Sequence, residues 1–352
     1  MNFIKKLLPY WLKQLILKVI KIPNLVLLPL FTSNRILSTM WYLLISRRFD
    51  REHQAVLAGK VAYQKSLSQI GQSSILLRRN IHRLEKGLIM QPRRDIFAEN
   101  FIEETVNVYA RAVKVNSLNI DEKKWFNDVL AEYFSVVKDT KIILKARNKF
   151  QDCVELNSGQ ERYIPYPFDS LPVSDINYDQ LHKLFIKRRS VRWYQDREVS
   201  LNIVEKAVNL ATFAPSACNR QPYAFYVSES KDKAVEMAKC AGGTPGWVEN
   251  IPCTIAIIGD LAAYPEERDR HLIYIDASLA SMQLMLAFET LGLATCSINW
   301  PDIESAEKRM QVLLGLKSYE RPIMLLSVGY PKDKGGIPYS QKKNSDVLIK
   351  KV

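Results

Sequence analysis

After about residue 166 the chain changes character, and that change limits its fold more than any other feature. Short apolar runs, YAFYVSE (223–229), CTIAIIGD (253–260), ATCSIN (294–299) and PIMLLSVGYP (322–331), alternate with stretches of helical periodicity. The helical candidates are YDQLHKLFIKRRS (178–190), SLNIVEKAVNLATFA (200–214) and HLIYIDASLASMQLMLAFETLGL (271–293). Short apolar runs bounded by turn signals read as strands. Interleaved with helices, they predict a central sheet in an α/β or α+β domain over 166–352.

The preceding stretch, 51–165, reads as a helical domain. Its candidates are a serine-capped run ending at Gly87, a second over 97–115, and a third over 121–144 with an acidic first turn. The first contains HRLEKG (82–87), where Arg79 and Arg83, like His82 and Lys86, stand one turn apart. That charged face either contacts a substrate or cofactor edge, or is solvated and laced by i,i+4 pairs.

Residues 1–50 form a basic, apolar leading segment. Lys5, Lys6, Lys13, Lys18, Lys21, Arg35, Arg47 and Arg48 precede the first acid, Asp50, and supply eight of the thirteen net positive charges. On a helix, Ile4, Leu8, Trp11, Leu15 and Val19 share a side opposite Lys6, Lys13 and Lys21, with Lys18 intruding. Pro23, Asn24, Pro29, Asn34 and Arg35 interrupt the apolar run, which is short of the ~20 residues a spanning helix needs. Two readings stay open. One is a helix on an anionic membrane face anchored by Trp11, Trp41 and Tyr42; the other is a basic hairpin packed on its own protein.

The rest of the chain is only mildly basic, which argues against nucleic acid as a partner. The five cysteines (Cys153, Cys218, Cys240, Cys253, Cys296) form no CxxC pair, and the four histidines lack metal-ligand spacing. No disulfide framework and no metal site are expected, and reduced thiols fit a cytoplasmic protein.

Two stretches carry chemistry. RRSVRWY (188–194) sets Arg188, Arg189 and Arg192 around Ser190, a donor set suited to phosphate. At the end of a helix, Arg188 and Arg192 would be one turn apart. APSACNRQPYAFYV (214–227) offers Ser216, Asn219 and Gln221 between Pro215 and Pro222, donors and acceptors that suit the edge of a flavin's pyrimidine ring. With neither GxGxxG nor GxxxxGK[ST] in the chain, side chains rather than a glycine loop would hold a nucleotide's phosphate.

Taken in order, RRSVR, APSACNRQPYAF, the helix DASLASMQLMLAFETLGLATCSI, ERPIMLLSVGYP and the basic tail PYSQKKN resemble the nitroreductase family of FMN enzymes, over about residues 178–346. The resemblance implies an α+β nitroreductase-like fold whose mixed or antiparallel sheet is flanked by helices. It implies a homodimer with two FMN molecules at the subunit interface, and a long helix around 276–291 buried there rather than spanning a membrane. It assigns Arg188, Arg189, Ser190 and Arg192 to the FMN phosphate, ribityl chain and ring edge, and Pro215, Ser216, Asn219 and Gln221 to the loop beside the isoalloxazine. Lys342 and Lys343 would complete the phosphate site.

Near flavin N5 the family often carries a Glu–Gly or Gly-containing pair. Here the matching residues are Ile298, Asn299 and Trp300: Asn299 offers a hydrogen bond, and Trp300 would roof the ring or reshape the pocket. The implied activity is hydride transfer from NAD(P)H through FMN to a small, or lipid- or polysaccharide-linked, acceptor, with Arg189 or Arg192 stabilising charge on the ring. The alternative is a non-catalytic, membrane-associated flavin-domain scaffold or assembly factor. Cys218 reads as a small apolar filler.

Overall fold

The computed structural model describes residues 27–67, 71–153 and 161–352, which include Trp41 and Tyr42 but not the amphipathic stretch Ile4–Val19 or Trp11. The chain divides into two compact units, Met1–Gln54 and Ala55–Val352. In the first, Asn34 accepts a hydrogen bond from the Leu37 amide and starts helix α1, Arg35–Met40. A π-helical turn, Trp41–Ser46, follows it. The Trp41 ring is buried with its centroid 5.1 Å from that of Phe31, so it is not an exposed anchor. Ile36, Leu43, Leu44 and Ile45 are exposed beside Arg35, Arg47 and Arg48. Helix α2 spans Asp50–Ser66.

In the second unit, α3 (Ile75–Leu88), α4 (Glu99–Val115), α5 (Ile120–Val136) and α6 (Lys141–Gln151) bury one apolar stripe each. Leu77, Ile81 and Leu84 meet Ile102, Val106, Phe126, Leu130 and Ile143 in one cluster. The single helix expected over 121–144 is two helices: Val137 turns extended (ψ 140°), and the Thr140 hydroxyl accepts from the Ile143 amide to start α6. Gly87 sits where a Cβ would collide with the Phe97 ring, so close packing rather than a helix stop explains the glycine.

Beyond residue 166 come α7 (Tyr178–Lys187), α8 (Leu201–Ala211), β1 (Tyr223–Val227), α9 (Lys231–Cys240) and β2 (Cys253–Asp260). Then follow α10 (Leu272–Thr290), β3 (Ala294–Asn299), α11 (Glu304–Leu314), β4 (Glu320–Gly329) and the short α12 (Ser345–Leu348). The four strands pair antiparallel in the order β1-β2-β4-β3, giving the expected α+β class. Side-chain alternation splits β2 between two cores. Ala256 and Ile258 pack with α9 and α11, while Ile255 and Ile257 pack with α8 and α10. Two buried faces explain why β2 reads as a continuous apolar run. The stretch Glu267–Thr290 is long and apolar enough to cross a membrane, but Ile273, Ala277, Ala280, Leu284 and Phe288 pack its length into the protein.

Candidate functional site

Asn177 and Gln180 exchange hydrogen bonds as a capping box that starts α7, and the helix ends at Lys187. Arg188 is already extended (ψ 111°), so the arginines do not lie on a helical turn as expected. Ser190 bridges Thr295 on the β3 edge, and the Val191 amide donates 3.0 Å to the Thr295 carbonyl. An extended segment has period two, so Arg188, Ser190 and Arg192 share one face, and Val191 packs beside the core that also holds Cys296. All three reach Cys296: burial pushes its thiol pKa up, and Arg192, the Ser190 hydrogen bond and Arg188 pull it back.

Tyr194 pins this segment. Its hydroxyl bonds the Val191 carbonyl at 2.7 Å and Ser327 Oγ at 2.8 Å, and its ring is buried. Asn250 Nδ2 donates 2.6 Å to the Arg192 carbonyl. Among the described residues no carboxylate pairs with Arg188 or Arg192, and Thr295 Oγ1 is buried without a partner. Arg189 turns back instead, donating to the Phe185 and Arg188 carbonyls at the end of α7. Lys342 and Lys343 are exposed on the tail. That tail leaves the sheet beside the segment, where the Lys332 amide donates 3.0 Å to the Trp193 carbonyl. The remaining set, guanidinium groups, lysines and a hydroxyl with no carboxylate among them, fits a phosphate-bearing group.

The loop before β1 is held from below. Buried Asp276 on α10 accepts from Ser216 Oγ at 2.7 Å and from the Ala217 amide at 2.9 Å, and Ser216 Oγ accepts from the Gln221 amide at 2.8 Å. Gln221 Nε2 donates to the Thr212 carbonyl, while Pro215 is exposed. Cys218, Asn219 and Gln221 have φ of 53°, 52° and 50°, three positive-φ residues around a right-handed Arg220, none of them glycine. Such backbone costs on the order of 1 kcal/mol per residue and persists only where its surroundings fix it. Asp276 anchors the start of the loop while Arg78 and Thr212 hold Asn219 and Gln221, and the hint of that anchor in the sequence is an acid in an apolar helix.

At the end of β3, the Ile298 side chain is buried in the core with α9 and α11 and the residue pairs with Leu325 on β4, which leaves the exposed Asn299 side chain available. Trp300 is also buried, with its indole Nε1 donating 2.8 Å to Glu307 Oε1. Trp300 is therefore a core residue and does not roof a ring.

Strand order sets the two stretches far apart. Ser190 attaches at Thr295, in the row of Val328 and Cys253, and the loop enters the sheet at Tyr223, opposite Gly259. These attachment points lie on opposite edges, three strand spacings or about 14 Å across, and six residues or about 20 Å along. They are diagonal corners of one sheet.

The Nitroreductase family profile matches residues 186–245 and 233–330, which hold both stretches and all four strands. An Archaeoglobus fulgidus protein assigned as an NADH dehydrogenase/NAD(P)H nitroreductase is 32% identical over 43% of this chain and 85% of its own length. Iodotyrosine deiodinase 1 from Homo sapiens is 23% identical over 60% of this chain and 83% of its own. An FMN-dependent nitroreductase structure from Clostridium difficile aligns with 26% identity over 45% of this chain and 91% of its own, at a TM-score of 0.39. With the fold and the motif-bearing segments on the page, the chain belongs to the nitroreductase family and is an oxidoreductase of that kind.

Proposed function

We propose that the protein uses FMN to pass a hydride from NADH or NADPH to a small organic acceptor, and that it works as a homodimer with FMN between the subunits. The observation that carries this reading is the face made by Arg188, Ser190 and Arg192, two guanidinium groups and a hydroxyl with no carboxylate partner among the described residues. FMN, when bound, supplies the hydride-accepting and hydride-donating chemistry. Arg188, Ser190 and Arg192 would hold its phosphate and ribityl end, with Lys342 and Lys343 closing from the tail. Ser216, Asn219 and Gln221 would present polar atoms to the ring edge, Pro215 would border it, and Asn299 would donate near the reacting position. Because Arg189 caps α7, Arg192 is the better-placed cation for charge developing on the ring.

Two observations support two copies. One sheet presents the phosphate-type donors and the ring-edge loop at diagonal corners, so a second copy can bring a corner of each kind together. Helix α10 also leaves Ile275, Leu279 and Met282 exposed at helical spacing, and Phe213 beyond α8 is 81% exposed. An apolar stripe of this kind fits an isologous interface.

The leading residues support a cytoplasmic protein peripheral to an anionic membrane, since exposed Leu43, Leu44 and Ile45 adjoin Arg47 and Arg48. Purified protein should show flavin absorption that bleaches with NADH or NADPH without oxygen. A colourless chain that takes up no added FMN would end this reading.

A further inference from the structure

A second group of guanidinium side chains lies where α3 packs on the loop before β1. Arg78 Nε donates 2.8 Å to the Asn219 carbonyl, and Arg78 is itself neutralised by Glu122. Arg79 and Arg83 follow Arg78 on the same helix, one turn apart, and Arg220 follows Asn219 in the loop. The Arg83 guanidinium lies 3.7 Å from the centroid of the Phe101 ring, and that of Arg220 lies 4.7 Å from the centroid of Tyr264. Arg220 is only 7% exposed, and its Nε is buried without a partner.

Arg79 donates to neutral groups, Asn80 Oδ1 and the Tyr63 hydroxyl. Among the described residues, Arg79, Arg83 and Arg220 make no ion pair within 4.0 Å. Their proximity registers in Arg83, whose pKa is lowered first by burial and then by Arg79, with Arg220 adding to it. Cys218 and Glu104 act in the opposite sense. Aromatic faces shelter two of the three cations, but they do not neutralise them. A buried guanidinium with an unsatisfied donor, beside two more cations, is arranged to accept an anion.

We propose that Arg79, Arg83 and Arg220 bind the anionic group, carboxylate or phosphate ester, of the acceptor. The site is distinct from the Arg188–Arg192 face, and its assignment to the acceptor rests on the reading that the 214–222 loop borders the flavin. It narrows the acceptor class to organic acids or phosphate esters.

The test separates the two ideas. In the Arg188→Ala/Arg192→Ala protein, which lacks the first anion site whatever binds there, isothermal titration with inorganic phosphate and with acetate reads the second site. One saturable site per chain is expected, weakened about tenfold or more by Arg83→Gln and by Arg220→Gln. Saturation by phosphate alone assigns a phosphate ester, and saturation by acetate alone assigns a carboxylate. No saturable binding, or binding unchanged in both glutamine variants, overturns the site. Far-UV circular dichroism checks folding, and Arg83→Lys keeps the charge if the glutamine variant unfolds.

In flavin-loaded protein otherwise wild type, Arg83→Gln should raise KM for 4-nitrobenzoate about tenfold, with kcat within twofold and nitrobenzene unaffected. Equal losses on both compounds would make the arginines structural and overturn the acceptor assignment. A chain that takes up no FMN yet keeps the titratable site would fail the flavin reading while the anion site stands.

Discussion

The two arginine clusters in this fold are built on different backbones. Arg188 and Arg192 flank Ser190 on an extended segment at the β3 edge, where period two turns all three to one side. Arg79 and Arg83 stand one turn apart on α3 and meet Arg220 from a loop. The first cluster has a buried orphan hydroxyl beside it, Thr295 Oγ1; the second is roofed by Phe101 and Tyr264. The first lies at the sheet corner diagonal to the loop, while the second adjoins the loop within one chain. A cluster of like charges therefore acquires a meaning only once the backbone period and the strand order beneath it are known.

The largest effect expected separates the clusters by ligand. Charge-assisted hydrogen bonds contribute about 1.5–3 kcal/mol each. Arg188→Ala/Arg192→Ala should then weaken FMN binding by about 10²- to 10⁴-fold, read by fluorescence quenching on titration. Unchanged retention would remove the phosphate assignment. Next in size is Leu279→Asp, which puts a charge in the exposed stripe of α10. Light scattering should report a monomer that has lost FMN yet still binds phosphate or acetate at the second cluster. A monomer that keeps FMN would mean one chain suffices and the diagonal-corner argument fails.

Much of this was legible in the sequence. The four strands follow from apolar runs between turn residues, and β2 and β4 stand out because both of their faces are buried. Helices α9 and α11 are as long as α7 and α8, but their apolar positions mark one side less sharply and face a core that only the sheet reveals. The break between α5 and α6 hid in one threonine, whose hydroxyl caps a new helix rather than continuing the old one. Trp300 looked like a pocket residue because its partner, Glu307, comes from the next helix. Asp276 acts on a loop about sixty residues earlier, a separation no local pattern encodes.

That long-range contact gives the third prediction, which concerns the loop shared by both sites. Replacing Asp276 with alanine strands the Ser216 hydroxyl and the Ala217 amide beneath a loop with three left-handed residues. Losing the partner of a buried group costs about 1–3 kcal/mol, so destabilisation of about 2–4 kcal/mol is expected in denaturant unfolding. Asp276→Asn keeps an acceptor and should recover part of it. If the loop is instead held by its own backbone, both variants will unfold like wild type.

The smallest effect lies at the sheet corner under the same loop, where the Asp260 amide donates 2.9 Å to the Pro222 carbonyl. Burial pushes the Asp260 carboxyl up to about 6, against the pull of its hydrogen bond from the Ala262 amide at 2.7 Å. Its folded pKa is thus above its unfolded value of about 3.9, and between the two the folded protein holds more protons. Stability should therefore fall as pH rises from about 4 to about 6 and stay reduced above that, by on the order of 2 kcal/mol. Asp260→Asn keeps an acceptor for the Ala262 amide but never ionises, so it should be the more stable protein at pH 7 and lose its advantage near pH 4. Urea unfolding of both proteins across that range reads the difference. A variant no more stable than wild type at pH 7 would show that Asp260 ionises in the fold without penalty. The loop's anchor at this corner would then be indifferent to charge, unlike the arginine cluster it supports.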